Sequence, residues 1–174
     1  TASSTNRINQ AVSQTRGEIL YYMANGKKEI VPAYYHTNSG GYTENIVDMW
    51  NASANPCLIG VESPADTYAL KAGSGPAASY QWQVTYTASE IEEAMNDYLK
   101  SQGKSQNFGT YQGIKLYRTG SNGKELVSGR VTKMEVIGSG TTITFLKDSA
   151  IRGAFNLKSS LFTINGEQGL SIRS

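Results

Sequence analysis

Asn-Gly occurs three times in this chain, at 25–26, 122–123 and 165–166, each time between runs rich in apolar and β-branched residues. Asn and Gly are the residues that most readily take positive φ, which the tight turns of antiparallel hairpins require. The stretch "EILYYMANGKKEIVPAYY" therefore predicts a hairpin closed by Asn25-Gly26, with a second strand over about 29–35. Between 113 and 146 the apolar/polar alternation, broken at Asn122-Gly123 and at Gly138 to Gly140, predicts three or four antiparallel strands. "SLFTINGEQGLSIRS" predicts one more hairpin around Asn165-Gly166. Helical signals are fewer. Ile8, Ala11, Val12 and Thr15 stand at helical spacing ahead of Gly17. Thr87 and Glu90 fit a capping box for a helix that presents Ile91, Ala94, Met95, Tyr98 and Leu99 on one face and stops at Gly103. "KDSAIRGAF" predicts a short helix or turn. Many hairpins with few helices indicate an α+β fold built on antiparallel sheet.

The 174 residues suit a single domain spanning 1–174, and 39% hydrophobic against 17% charged residues supports a packed core. The polar residues are mostly Ser, Thr, Asn, Gln and Gly, and Tyr (11) outnumbers Phe (4), a mixture suited to carbohydrate-handling proteins outside the cytoplasm. Lys and Arg are scattered and the net charge is only +2, so no nucleic-acid partner is expected. With one cysteine, Cys57, and one histidine, His36, neither an internal disulfide nor a structural zinc site is expected, and no cofactor is implied. Cys57, between Pro56 and Leu58, reads as a small buried apolar group. No run approaches about 18 apolar residues, so this chain itself is expected to make no membrane contact. "TASSTNRINQ" is not a signal peptide, and any anchor or export signal is expected outside these residues. Residues 51–81, with Pro56, Pro64 and Pro76, read as a long irregular surface segment.

The densest collection of hydrogen-bonding groups is "YYHTNSGGYTENIVDMW", residues 34–50. A serine hydrolase reading would use Ser39, His36 and Glu44, but "TNSGG" lacks the strand-turn-helix setting of a nucleophile elbow. Glycan cleavage by one acid/base could draw on Glu44 or Asp48; Glu44 serves equally well as a turn hydrogen-bonder. For binding, Ser39, Tyr42 and Thr43 offer hydroxyls, Asn38 an amide, and Gly40-Gly41 a closely approachable backbone. Trp50, Tyr80 and Trp82 could stack on sugar rings or fill core space.

These residues resemble the "HSTSGGYTE…W" signature of the stage II sporulation protein D / amidase enhancer family. In the same order, "PCLIGVESPAD" is similar to that family's "PYLRGVPSPYD", and "SGRVTKMEVIGSG" and "SAIRGAFNLKSSLFTI" are similar to its late strands. The likeness covers roughly residues 8 to 165. It implies peptidoglycan as the ligand. The family's sporulation members are lytic transglycosylases acting on peptide-free glycan strands during forespore engulfment, and its enhancers stimulate a cell-wall amidase. Both act at the cell envelope, outside the cytoplasmic membrane, usually tethered by an N-terminal helix. On this resemblance His36, Ser39, Gly40, Gly41, Tyr42, Thr43, Glu44 and Trp50 line the glycan cleft. Ser39 and Tyr42 then hold the oxocarbenium-like sugar, and Glu44 orients His36 or a sugar hydroxyl. The family's catalytic glutamate lies in an upstream "AAEMP"-like segment with no counterpart here, and its "GHGVGMSQ" end is also missing. The chain thus resembles the middle and late part of a family domain, with the catalytic acid expected outside it. The alternative is a non-catalytic module that binds cell wall or stimulates an amidase.

Overall fold

The computed structural model describes residues 2–71, 80–165 and 169–173. The chain divides into two compact units, Thr1–Tyr35 and His36–Ser174. The first unit holds α1 (Ala2–Gln14) and a hairpin of β1 (Tyr21–Ala24) with β2 (Lys27–Ile30). Helix α1 is longer than the apolar spacing predicts, and Gly17 follows it at φ 84. Asn25 at φ 51 and Gly26 at φ 77 form the expected two-residue turn, pairing Ala24 with Lys27. The second strand occupies Lys27–Ile30 rather than 29–35. The tight turn brings Lys27 directly into register, while Pro32, which lacks an N–H, ends pairing beyond the Val31 N–H bond to the Leu20 carbonyl.

The second unit is α+β. Its β4 (Tyr111–Tyr117), β5 (Lys133–Gly138) and β6 (Thr142–Leu146) form an antiparallel meander. A second antiparallel sheet runs in the order β3 (Gln83–Thr87), β8 (Gly169–Arg173), β7 (Thr163–Asn165). The β7–β8 hairpin surrounds the Asn165-Gly166 position, whose turn lies outside the described residues. Asn122-Gly123 behaves differently from Asn25-Gly26. Only Gly123 takes positive φ, and the Asn122 side chain accepts from the Lys124 N–H instead, shaping an excursion between β4 and β5.

Helix α3 (Ala88–Ser101) starts at the expected capping box: Glu90 N–H donates to Thr87 Oγ1 at 3.2 Å, and Thr87 N–H donates to Glu90 Oε2 at 2.7 Å. Its stripe packs Ile91, Met95 and Leu99 into a core shared with Phe108, Val136, Phe145, Phe162 and Ile172. Thr87→Ala is expected to destabilise the unit by about 1 kcal/mol, read as a lower midpoint in thermal melting, because one orphan helix donor loses its acceptor. Helix α4 (Lys147–Ala154) follows β6 without a connecting loop, and Ile151 anchors it in the same core. No helix among the described residues is long and apolar enough to cross a membrane.

Candidate functional site

The loop from His36 to Asn45 precedes the single-turn helix α2 (Ile46–Met49). Gly40 at φ 75 and Gly41 at φ 101 bend it in a way side chains resist. A Cβ at Gly40 would also come within 2.5 Å of Leu161 Cδ2. The Asn38 side chain supports the bend by accepting from the Gly40 N–H at 2.7 Å. This conformation aims the N–H groups of Ser39 (2.8 Å) and Gly41 (3.2 Å) at one oxygen, Oδ2 of Asp66, and the Ser39 hydroxyl donates to that same oxygen. Asp66 belongs to the 3₁₀ helix Pro64–Leu70, which two more bonds tie to the loop: Asn38 Nδ2 to the Asp66 carbonyl and Ser63 N–H to the Gly41 carbonyl. Burial alone would raise the pKa of Asp66. The Ser39 hydroxyl and the Gly41 and Ser39 N–H groups outweigh it and hold the carboxyl below its ordinary range.

Further along, Thr43 and Ile46 pair by backbone bonds with Val61 and Leu58, so 58–62 runs beside the loop. The Thr43 hydroxyl is engaged by the backbone of Ile59 and Val61. Glu44 accepts from the Ser128 hydroxyl at 2.7 Å through Oε2 and from Asn45 through Oε1. Asp48, 3% exposed, accepts from the Ser121 N–H at 2.6 Å and from Asn45 Nδ2 at 2.9 Å. Burial pushes its pKa upward, but the Ser121 N–H, the Asn45 amide and the nearby Lys147 charge bring it below the ordinary value. Lys147 Nζ donates to the carbonyls of Val47 and Asp48 at the end of α2. Arg130 approaches from the other side, donating to the Ser39 carbonyl and, at 3.0 Å, to Ser159 Oγ. Burial pushes its guanidinium below the usual value, while Asp148, Glu44 and Asp66 pull it back up.

The residues singled out in the sequence thus separate into two kinds. Ser39, Thr43 and Glu44 are engaged inside the protein, and Gly40 and Gly41 supply the bend. His36 is exposed and Tyr42 half-buried, and neither side chain makes a hydrogen bond among the described residues. Trp50 is 41% exposed at the end of α2, Tyr80 is half-buried, and Trp82 lies in the core. Ser39, His36 and Glu44 do not meet as a triad, since Ser39 turns to Asp66 and Glu44 to Ser128. Cys57 corrects the sequence reading: it is exposed, because the Asn55 side chain caps its N–H in a surface turn. Asp66, Ser128, Arg130 and Ser159 had no assigned role in the sequence. Asp66 closes the "ESPAD" segment and Arg130 sits in "SGRV", so their motifs were visible although their partners were not. No group of three or more His, Cys, Asp or Glu among the described residues could hold a metal ion.

Residues 34–173 match the family described as Domain of unknown function (DUF8618). The chain belongs to this family. The start of the DUF8618 match coincides within two residues with the boundary between the two compact units, so the whole candidate site falls inside the family domain. No curated protein matches the chain.

Proposed function

We propose that the DUF8618 domain of this chain is a peptidoglycan-processing domain that holds peptide-free glycan strands, as the resemblance to the stage II sporulation protein D family implies. The observation that carries this reading is the tie from Asp66 to Ser39 and Gly41. It joins residues 36–50 to 56–66, the two stretches of the second unit that bear the resemblance most specifically. With most polar groups of the loop satisfied internally, the His36 imidazole and the Tyr42 hydroxyl are available to meet a sugar, and the partly exposed Trp50 offers an aromatic surface at the end of α2. Glu44, with both oxygens engaged, supports the wall rather than transferring a proton. The acid that protonates the glycosidic oxygen is then supplied by a segment outside these 174 residues, and the protein works at the cell envelope beside a peptide-stripping amidase.

The test is to incubate the chain with amidase-stripped glycan strands, measuring binding and 1,6-anhydromuramic ends. Binding without anhydro ends is expected, with affinity falling about tenfold in Tyr42→Phe as one sugar-facing hydroxyl is lost. Anhydro ends would place the acid within the chain and overturn the supporting role of Glu44. Absence of binding, with stimulation of a cell-wall amidase, would favour the non-catalytic module instead.

A further inference from the structure

We propose that Asp66 and Arg130 are the positioning residues of the glycan site, acting together through Ser39; this rests on the reading above. Ser39 is 3% exposed, so its own groups do not reach a ligand. Each of its polar groups is held by a charged side chain. Asp66 accepts from its N–H and its hydroxyl, and Arg130 donates to its carbonyl. Hydrogen bonds with one ionised partner are roughly twice as strong as neutral ones. They act where the backbone most needs them: the next two residues are glycines at positive φ, with no side chains to pack the loop into shape. Tyr42 follows directly, so the orientation of its ring and hydroxyl is inherited from a residue clamped on both sides.

Arg130 is assigned a positioning role because its guanidinium is already turned to the Ser39 carbonyl and Ser159 Oγ, with the charges of Asp148, Glu44 and Asp66 nearby. Its bonds to Ser39 and Ser159 use the fork geometry of a guanidinium, which a lysine reproduces only in part.

The experiment compares the full chain with Asp66→Asn, Arg130→Lys, Arg130→Met and the Asp66→Asn/Arg130→Met double variant. It reads hydrogen–deuterium exchange over residues 38–43 and affinity for amidase-stripped glycan strands. A core variant, Ile91→Val, supplies a control of comparable destabilisation. Exchange in the loop is expected to accelerate about tenfold, and affinity to fall about tenfold, in Asp66→Asn and Arg130→Met. Arg130→Lys should recover part of both. The double variant should lose little more than the worse single, because both act on one residue. Unchanged loop exchange, or an affinity loss no greater than in Ile91→Val, would overturn the clamp. Accelerated exchange in a protein whose unmodified form binds no strands would keep the clamp and reject the glycan reading.

Discussion

Asp48→Ala is expected to destabilise the DUF8618 domain by about 3 kcal/mol, measured by urea denaturation. The carboxylate is almost completely buried and accepts from two places, the Ser121 N–H beyond β4 and the Asn45 amide in the loop, with the Lys147 charge at the start of α4 nearby. Alanine leaves the Ser121 N–H and the Asn45 amide facing a void, and unsatisfied buried donors are more damaging than a missing contact. Collapse is not an easy remedy, because Gly120 already packs so closely that a Cβ there would lie 3.2 Å from Asp48 Oδ1. Measured destabilisation below about 1 kcal/mol would mean that the site relaxes or admits water.

The same group gives the domain an acid limit. The folded pKa values of Asp48 and Asp66 both lie below the ordinary 3.8, so the unfolded chain takes up protons first as pH falls. Their stabilisation is fully present above that value and is lost as pH drops through the folded values. Asp48→Asn should therefore flatten part of the decline in stability below about pH 4. A decline as steep as in the unmodified protein would assign it to other carboxylates.

Phe108→Ala is expected to have the larger effect, about 3–5 kcal/mol. The ring is fully buried against Gly138, where an added Cβ would meet the Phe108 carbonyl at 2.2 Å and its ring at 2.9 Å. The backbone here cannot shift to fill the cavity, since the Phe108 N–H donates to Asn96 Oδ1 and its carbonyl accepts from Gly140 N–H, both at 2.9 Å. This places the loss toward the top of the range for large-to-small core changes. Against a total stability of about 5–15 kcal/mol, such a loss should be evident as a much lower urea midpoint with an unchanged slope.

Where a structural signal is local, it was legible. The Asn25-Gly26 hairpin follows from two residues that tolerate positive φ, and α3 follows from Thr87, Glu90 and one apolar stripe. The second strand was misplaced because Lys27 and Lys28 look like loop residues, yet a two-residue turn pairs Lys27 as soon as the chain reverses. Cys57 was misplaced because a thiol between Pro and Leu looks apolar, whereas the Asn55 cap holds that turn at the surface.

The candidate site shows the same division more sharply. Its loop stood out in the sequence as a concentration of polar groups around Gly40-Gly41. What those groups do was not readable, because Ser39 meets Asp66 across 27 residues and Arg130 across 91, and Glu44 meets Ser128 across 84. By itself, then, the sequence determined the α+β alternation of hairpins and helices and the location of the polar loop, since turn and cap chemistry act within four residues of the chain. Only the tertiary structure decided that Ser39, Thr43 and Glu44 are spent on holding the loop while His36 and Tyr42 are not. A hydrogen bond between distant segments depends on how whole elements pack, and no local pattern encodes that packing.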